Sequence, residues 1–493
     1  MAPAPARLSS AGLAVLCATI LVSVTSASMT TVALPDMQQD FGVSDDALTW
    51  VVTAYLITFA TGTVGYGRLA DMYGTKQLYL FGLGVFMAAS ALVAVAPGFW
   101  WLVLARALQG LGGTAIPALS MATIVRTTPP EARGAPMGAI VLTVGVGFGI
   151  GPLLGGALTE WWGWEAIFWA TALASIGLFA AATWLVPVIP GTPGQTFDYI
   201  GATLLSAAIT ALLVALNRLP REPGDPLGLA GLALLPPLLM LLAWRTRSAS
   251  QPYLNPVLMR NPRFLALSAI GSGGQGAHFA TIVLLPLLLA RYHDQSTIEI
   301  GLLLLPGALA LAVTGMAGGM LTSRFGARAL IIPGTMIMLA GAFTLHVAGA
   351  GWGPAGLSLL YLVLAGGYGL LNGPVMNAAT AELPPELAGV GVGGYNLLFF
   401  LGGAISVALS GAILRARADA AGPLNPLFSG RVPEFSDAFI VVVAAAAVSL
   451  VLAIALGRSP KRVPDSTAAP EPGALAGAFG AGLKPRAKPQ SGR

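Results

Sequence analysis

Residues 67–76 read GRLADMYGTK, and residues 319–328 read GMLTSRFGAR. Gly67, Leu69 and Gly74 return as Gly319, Leu321 and Gly326 at an offset of 252 residues, with Ser323 where Asp71 stands. A second pair keeps nearly the same distance. TTPPEARGAPMGA at 127–139 is matched by ELPPELAGVGVGG at 382–394, and their Pro-Pro steps begin 255 residues apart, at Pro129 and Pro384. Each stretch separates long apolar runs, so the chain reads as two similar halves written in the same direction, an internal parallel repeat.

The medium that such a chain needs follows from its composition. Of 493 residues 56% are apolar and 9% charged, with a mean hydropathy of +0.79, whereas soluble domains carry roughly 25% charged residues. A bilayer core takes about 20 apolar residues per helix. Runs of that kind lie at 12–34, 47–69, 78–97, 101–124, 136–158, 165–187, 199–217, 227–244, 264–290, 299–321, 328–349, 355–380, 390–414 and 437–457. The sequence therefore predicts an all-α integral membrane protein of about fourteen transmembrane helices. The first run imitates a secretory signal peptide, with Arg7 before it and small residues at 26–28, but its apolar character continues past any cleavage site. One cysteine, Cys17, allows no disulfide within the chain.

Basic residues give the orientation, because short loops rich in Lys and Arg stay cytoplasmic. With the N-terminus inside, the inner loops and tail hold three times as many Lys and Arg as the outer ones. Both termini are then cytoplasmic, and the net charge of +5 is topology, not a nucleic-acid surface. The repeat offset leaves about 55 residues more than six short-looped helices require. The excess fits one inserted helix pair, 199–217 and 227–244. The expected organisation is a six-helix bundle at 1–190, the inserted pair at 191–250, a second six-helix bundle at 251–458 and a disordered cytoplasmic tail at 459–493 rich in Pro, Gly, Ala and basic residues.

Several of these stretches resemble motifs of the major facilitator superfamily. GRLADMYGTK is similar to its loop between the second and third helices. The resemblance makes Gly67, Arg68, Asp71, Gly74 and Lys76 an inner gate, with Met72 and Thr75 where relatives carry basic residues. RALQGLGG at 106–113 resembles the fourth-helix motif, which marks Arg106 and Gln109. A charge within a hydrocarbon span costs roughly 2.5–3.5 kcal/mol, so Arg106 should face the bundle interior; snorkelling to the outer interface is the alternative. VGVGFGIGPLLGGAL at 144–158 resembles the fifth-helix antiporter motif, through Gly147, Gly151, Pro152, Gly155 and Gly156. Glycines four apart let another backbone approach closely, and the helix is expected to serve as a sliding surface. The fourteen spans, FDYIGATLL at 197–205 and YNLLFFLGGAIS at 395–406 resemble the drug:proton antiporter branch, notably Gram-positive-type tetracycline exporters. The likeness covers roughly 12–457 and implies two six-helix bundles flanking the inserted pair.

The departures bear on mechanism. Relatives of this type carry carboxylates in the first and penultimate helices, whereas here Ser26, Ala27 and Thr31 occupy the first site and LLFFLGGAIS the other. All 20 acidic residues fall in loops, the tail or span ends. The remaining titratable candidate is His278, since an imidazole changes charge near neutral pH; a polar packing contact is the plainer reading. A midplane substrate site between the bundles would draw on Gln275, His278, Asn372, Asn377, Tyr395 and Asn396, with Trp50 and Tyr55 as aromatic surface. Without a buried acid, that lining suits a neutral, zwitterionic or anionic compound better than a strongly cationic one.

No phosphate-binding loop and no Cys/His cluster of metal-ligand spacing occurs in the sequence. Neither a cofactor nor a metal is expected, no nucleophile, base and acid set marks an enzyme, and nucleic acid is not an expected partner. The expected function is a monomeric cell-membrane exporter of small amphipathic compounds such as antibiotics, driven by proton antiport. An uncoupled facilitator or importer, and a non-transporting receptor or scaffold, are the rivals.

Overall fold

The computed structural model describes residues 8–43, 45–129, 132–191, 196–219, 222, 224–347, 351–384, 387–417, 422–426, 428 and 432–457. The tail at 459–493 and the second residues of both Pro-Pro steps lie outside them.

The first half holds α1 (Ser10–Val32), a short α2 (Leu34–Phe41), α3 (Asp45–Tyr73), α4 (Thr75–Ala94), α5 (Phe99–Thr127), α6 (Gly134–Trp162) and α7 (Glu165–Leu185). Next come α8 (Tyr199–Arg218) and α9 (Pro226–Ser248), then the short α10 (Pro256–Arg260). The second half holds α11 (Pro262–His293), α12 (Thr297–Phe325), α13 (Arg328–Val347), α14 (Pro354–Ala381), α15 (Ala388–Ala416), the short α16 (Pro433–Ala438) and α17 (Ile440–Ala455). Among the described residues thirteen segments are long and apolar enough to cross a membrane, and α3 contributes a shorter apolar stretch, Trp50–Thr63.

Local chemistry sets the helix boundaries. Side chains of Ser9, Asp198, Asp225 and Asn261 cap α1, α8, α9 and α11 by accepting from first-turn amides. Ser296 and Glu299 form a capping box on α12. The glycines of the opening repeat have one conformation: Gly74 has φ +94° between α3 and α4, and Gly326 has φ +81° beyond α12. Side-chain residues rarely adopt such angles, so both motifs close a helix in the same way.

The repeat extends to packing. In the first half α1 packs on α6 and α7, and α5 on α3 and α4, while α4 also meets α7. In the second, α11 packs on α15 and α17, and α14 on α12 and α13, while α13 meets α17. The halves meet along two seams, α6 against α12 and α3 against α15. Helices α8 and α9 pair with each other, and α8 lies over the α3/α15 seam. Large apolar side chains stay on the outside, including Trp100, Trp161, Trp184 and Met240, each at least two-thirds exposed. So much apolar surface is tolerated against lipid, not water.

Candidate functional site

Arg106 is only 1% exposed. Its Nε donates to the Val51 carbonyl at 3.2 Å, its Nη1 donates to Gln109 Oε1, and its guanidinium lies 4.5 Å from the Tyr55 ring centroid. Gln109 Nε2 donates in turn to Ser90 Oγ at 2.9 Å and reaches Ser26 Oγ at 3.5 Å. Arg106 is thus interior, not interfacial, and no carboxylate pairs with it among the described residues. Close helix approach makes this possible. A Cβ on Gly110 would sit 2.3 Å from the Tyr55 carbonyl, and one on Gly112 would sit 2.4 Å from the Phe86 amide nitrogen. The glycines of RALQGLGG therefore seat α5 on α3 and α4.

The second half carries a different cluster. His278 of α11 stacks on Tyr368 of α14, with centroids 4.6 Å apart and planes 14° from parallel, and more distantly on Tyr361. Tyr368 donates from its hydroxyl to Gln275 Oε1. Neither ring nitrogen of His278 has a hydrogen-bond partner among the described residues, nor has the Tyr395 hydroxyl. Glycines again make the room: Cβ atoms on Gly271 and Gly307 would collide with Tyr395 and Tyr361. A fully buried imidazole whose nitrogens have no partner among the described residues forfeits hydrogen bonds, and His278 is held here through its ring faces. Gln275, His278 and Tyr395 thus lie close together. No hydrogen bond joins Asn372, Asn377 or Asn396 to them among the described residues, and Trp50 packs elsewhere, against the apolar cluster that includes Phe99, Leu102 and Phe168.

Phenylalanines that the sequence reading passed over join the two clusters. Tyr55 stacks on Phe59 at 5.6 Å, Phe59 meets Phe400 edge-on at 4.8 Å across the α3/α15 seam, and Phe400 leads through Phe399 to Tyr395. On the other side Phe148 of α6 meets Phe279 of α11 at 5.7 Å. In sequence these rings look like any lipid-facing Phe; only the helix pairing distinguishes them.

At the end of the bundle near Gly74, Asp71 pairs with Arg126. Burial raises the Asp71 carboxyl above its ordinary pKa against the pull of Arg126 and Arg68. Arg68 donates instead to Gln251, in the segment after α9. Lys76 lies in the first turn of α4, and Gly67 lies one turn before Asp71 on α3.

The glycines of α6 divide between two faces. Gly147, Gly151 and Gly155 face Val24, Ser28 and Met29 of α1, within the same half, whereas Gly134, Gly138, Gly145 and Gly149 face α12 across the seam. The motif residues therefore hold the first bundle together, and its neighbours meet the second. Pro152 and Gly156 are half-buried within the same unbroken helix.

Every buried acid among the described residues lies at a helix end: Asp198, Asp225, Glu434 and Asp437. Asp198 pairs with Arg245, Asp225 with Arg218 and Asp437 with Arg417, and Glu434 accepts from Tyr292. Among the described residues no cluster of side chains could hold a metal.

The comparisons with known proteins agree with this architecture. The family model described as Major Facilitator Superfamily matches residues 16–407. The chain is 29% identical over 417 residues to "Multidrug resistance protein Stp" of Mycobacterium tuberculosis, covering 82% of this chain and 75% of that one. It is 26% identical over 400 residues to "Riboflavin transporter RibZ" of Clostridioides difficile, covering 79% and 86%. Among solved structures, the human organic anion transporter MFSD10 superposes with a TM-score of 0.62 at 15% identity, covering 90% of this chain and 98% of that one. With two equivalent helical halves, two seams and this family match over most of its length, the chain belongs to the Major Facilitator Superfamily and is a membrane transporter, not an enzyme.

Proposed function

We propose that this transporter exports small amphipathic compounds, such as antibiotics, by alternating access at the two seams. It would sit in the cell membrane as a monomer with both termini cytoplasmic, so that Asp71 and Arg126 lie at the inner gate. The observation that carries the reading is the strip from buried Arg106 through Tyr55, Phe59, Phe400 and Phe399 to Tyr395, which crosses from one half to the other. Rings offer apolar contact area to a planar or amphipathic ligand, and a few polar groups fix its orientation. Arg106 and neutral polar partners, without an acid beside them among the described residues, favour a neutral, zwitterionic or anionic compound. The "Multidrug resistance protein" and "Riboflavin transporter" relatives are compatible with ring-bearing substrates.

Proton antiport is the proposed drive, and His278 is its candidate carrier, being a buried titratable group stacked on Tyr368, whose hydroxyl donates to Gln275. The missing mid-membrane carboxylate favours one second reading, an uncoupled facilitator. Everted vesicles loaded with a pH dye, acidified inside and given a panel of amphipathic antibiotics separate the two. Proton release on adding one compound, lost in His278→Ala, supports antiport. Labelled compound that equilibrates with no proton movement supports the facilitator, and the absence of any flux rejects both.

A further inference from the structure

A cavity of about 560 Å³ opens beside the segment that follows α9. Arg68 of α3, Arg247 at the end of α9 and Arg260 at the end of α10 line it, together with Thr246, Ser250 and Gln251, and none of its lining residues is acidic. Arg68 is partly engaged by Gln251 Oε1, which also accepts from the Thr196 amide at 2.8 Å. Arg247 and Arg260 form no ion pair among the described residues, in contrast to Arg245, which Asp198 holds at 2.9 Å. Arg247 and Arg260 are exposed and Arg68 is part-buried, so the hollow presents positive charge to an anion that enters it.

The hollow is also held in shape. Tyr253 donates from its hydroxyl to the Thr61 carbonyl of α3 at 3.1 Å, and its amide donates to Asp198 at 3.2 Å. On α10 Leu258 is buried, while its neighbours Val257 and Met259 are each 48% exposed and Trp244 is 63% exposed. Exposed apolar and indole side chains close in sequence to the cavity's arginines are the combination found at a membrane interface, where apolar groups meet acyl chains and charges meet headgroups.

We propose that this cavity binds a phosphate-bearing anion and that its source is the headgroup of an anionic lipid. The bound phosphate would bridge Arg68, on the first half, to Arg247 and Arg260, on the linker to the second. The exposed Trp244, Val257 and Met259, next to the lining residues in sequence, favour a lipid over a soluble phosphate, which would have no use for them.

The test uses the full chain in detergent, exposed to equal amounts of phosphatidylglycerol and phosphatidylcholine, with retained lipid read by native mass spectrometry. Wild type should retain phosphatidylglycerol preferentially. Each arginine near such a headgroup is worth about five-fold in affinity, so R247Q/R260Q should lose about thirty-fold. R247K/R260K should keep most of the preference, and R291Q, at the opposite end of α11, all of it. A monodisperse R247Q/R260Q protein that keeps the wild-type preference would overturn the site, as would a wild type with no preference. Displacement of phosphatidylglycerol by millimolar inorganic phosphate would keep the phosphate chemistry and overturn the lipid source.

Discussion

Gly149→Ala tests whether the α6/α12 seam is the surface that slides. An ideal Cβ at Gly149 lies 2.6 Å from the Ala308 Cβ, where carbon atoms prefer about 3.5–4.0 Å. The helices must separate by about 1 Å or a backbone must shift, and overpacking of this kind costs about 1–3 kcal/mol. Alanine returns about 0.8–1 kcal/mol through its better helix propensity, so the single variant should lose about 0–2 kcal/mol. Ala308→Gly alone gives up a similar propensity increment. The double variant G149A/A308G moves one methyl group across the seam, so the propensities cancel and the collision disappears.

The coupling energy of this cycle is therefore at least the steric cost, about 1–3 kcal/mol in favour of the double variant, with the packing that A308G alone loses at buried Ala308 added to it. Reversible unfolding in mixed micelles reads the energies, and uptake into everted vesicles reads the rate per folded molecule. G149A should slow transport and A308G should restore it. Additive variants, with coupling within about 0.5 kcal/mol of zero, would refute the seam packing. A normal rate in G149A despite the coupling would refute the sliding role.

Other perturbations address separate parts of the molecule. Gly151→Ala places a Cβ 1.7 Å from Ser28 Oγ and breaks the Ser28 bond to the Gly147 carbonyl. It should lower the melting temperature yet leave transport per folded molecule near wild type, because that contact lies within one half. Arg106→Met removes a buried charge that no carboxylate balances among the described residues. It should fold with stability equal to or above wild type and lose transport, whereas a stability loss above about 3 kcal/mol would mean that its bonds to Val51 and Gln109 hold the bundle together instead. Asp71→Asn breaks a partly exposed pair worth about 0–1 kcal/mol, so the melting temperature should barely move while the transport rate falls; an unchanged rate rejects the gate. Burial raises the Asp198 pKa, but the Gly201 amide, Arg245 and the Tyr253 amide outweigh it, and the net shift is downward. The stability that Asp198 contributes is then present above its unfolded pKa of about 4 and is lost as pH falls through the lower folded value. Asp198→Asn should loosen the segment after α9 at neutral pH, seen as faster amide exchange at Tyr253, and an unchanged exchange rate would contradict that hub.

The repeat was legible because it is written in residues whose chemistry is local. Gly74 and Gly326 need a positive φ whatever surrounds them, and long apolar runs need lipid. Arg106 was legible because a charge in hydrocarbon is conspicuous. The aromatic strip was not, because Phe59, Phe148, Phe279 and Phe400 differ from lipid-facing residues only in which helix stands opposite. That pairing is a long-range property, set by how α3 meets α15 and α6 meets α11.

Helix α6 shows the same limit within one element. Its glycines occur at 134, 138, 145, 147, 149, 151, 155 and 156, and a four-residue period picks out 147, 151 and 155 as one face. Periodicity identifies a face but not its partner, and the structure gives that face to α1 and the one bearing 145 and 149 to α12. A helix lined with glycine on two sides can hold its own bundle with one and offer a low-relief surface to the other bundle with the second. On that surface a methyl group is the smallest possible obstacle, so the seam with α12 is where substitution should affect movement before it affects folding.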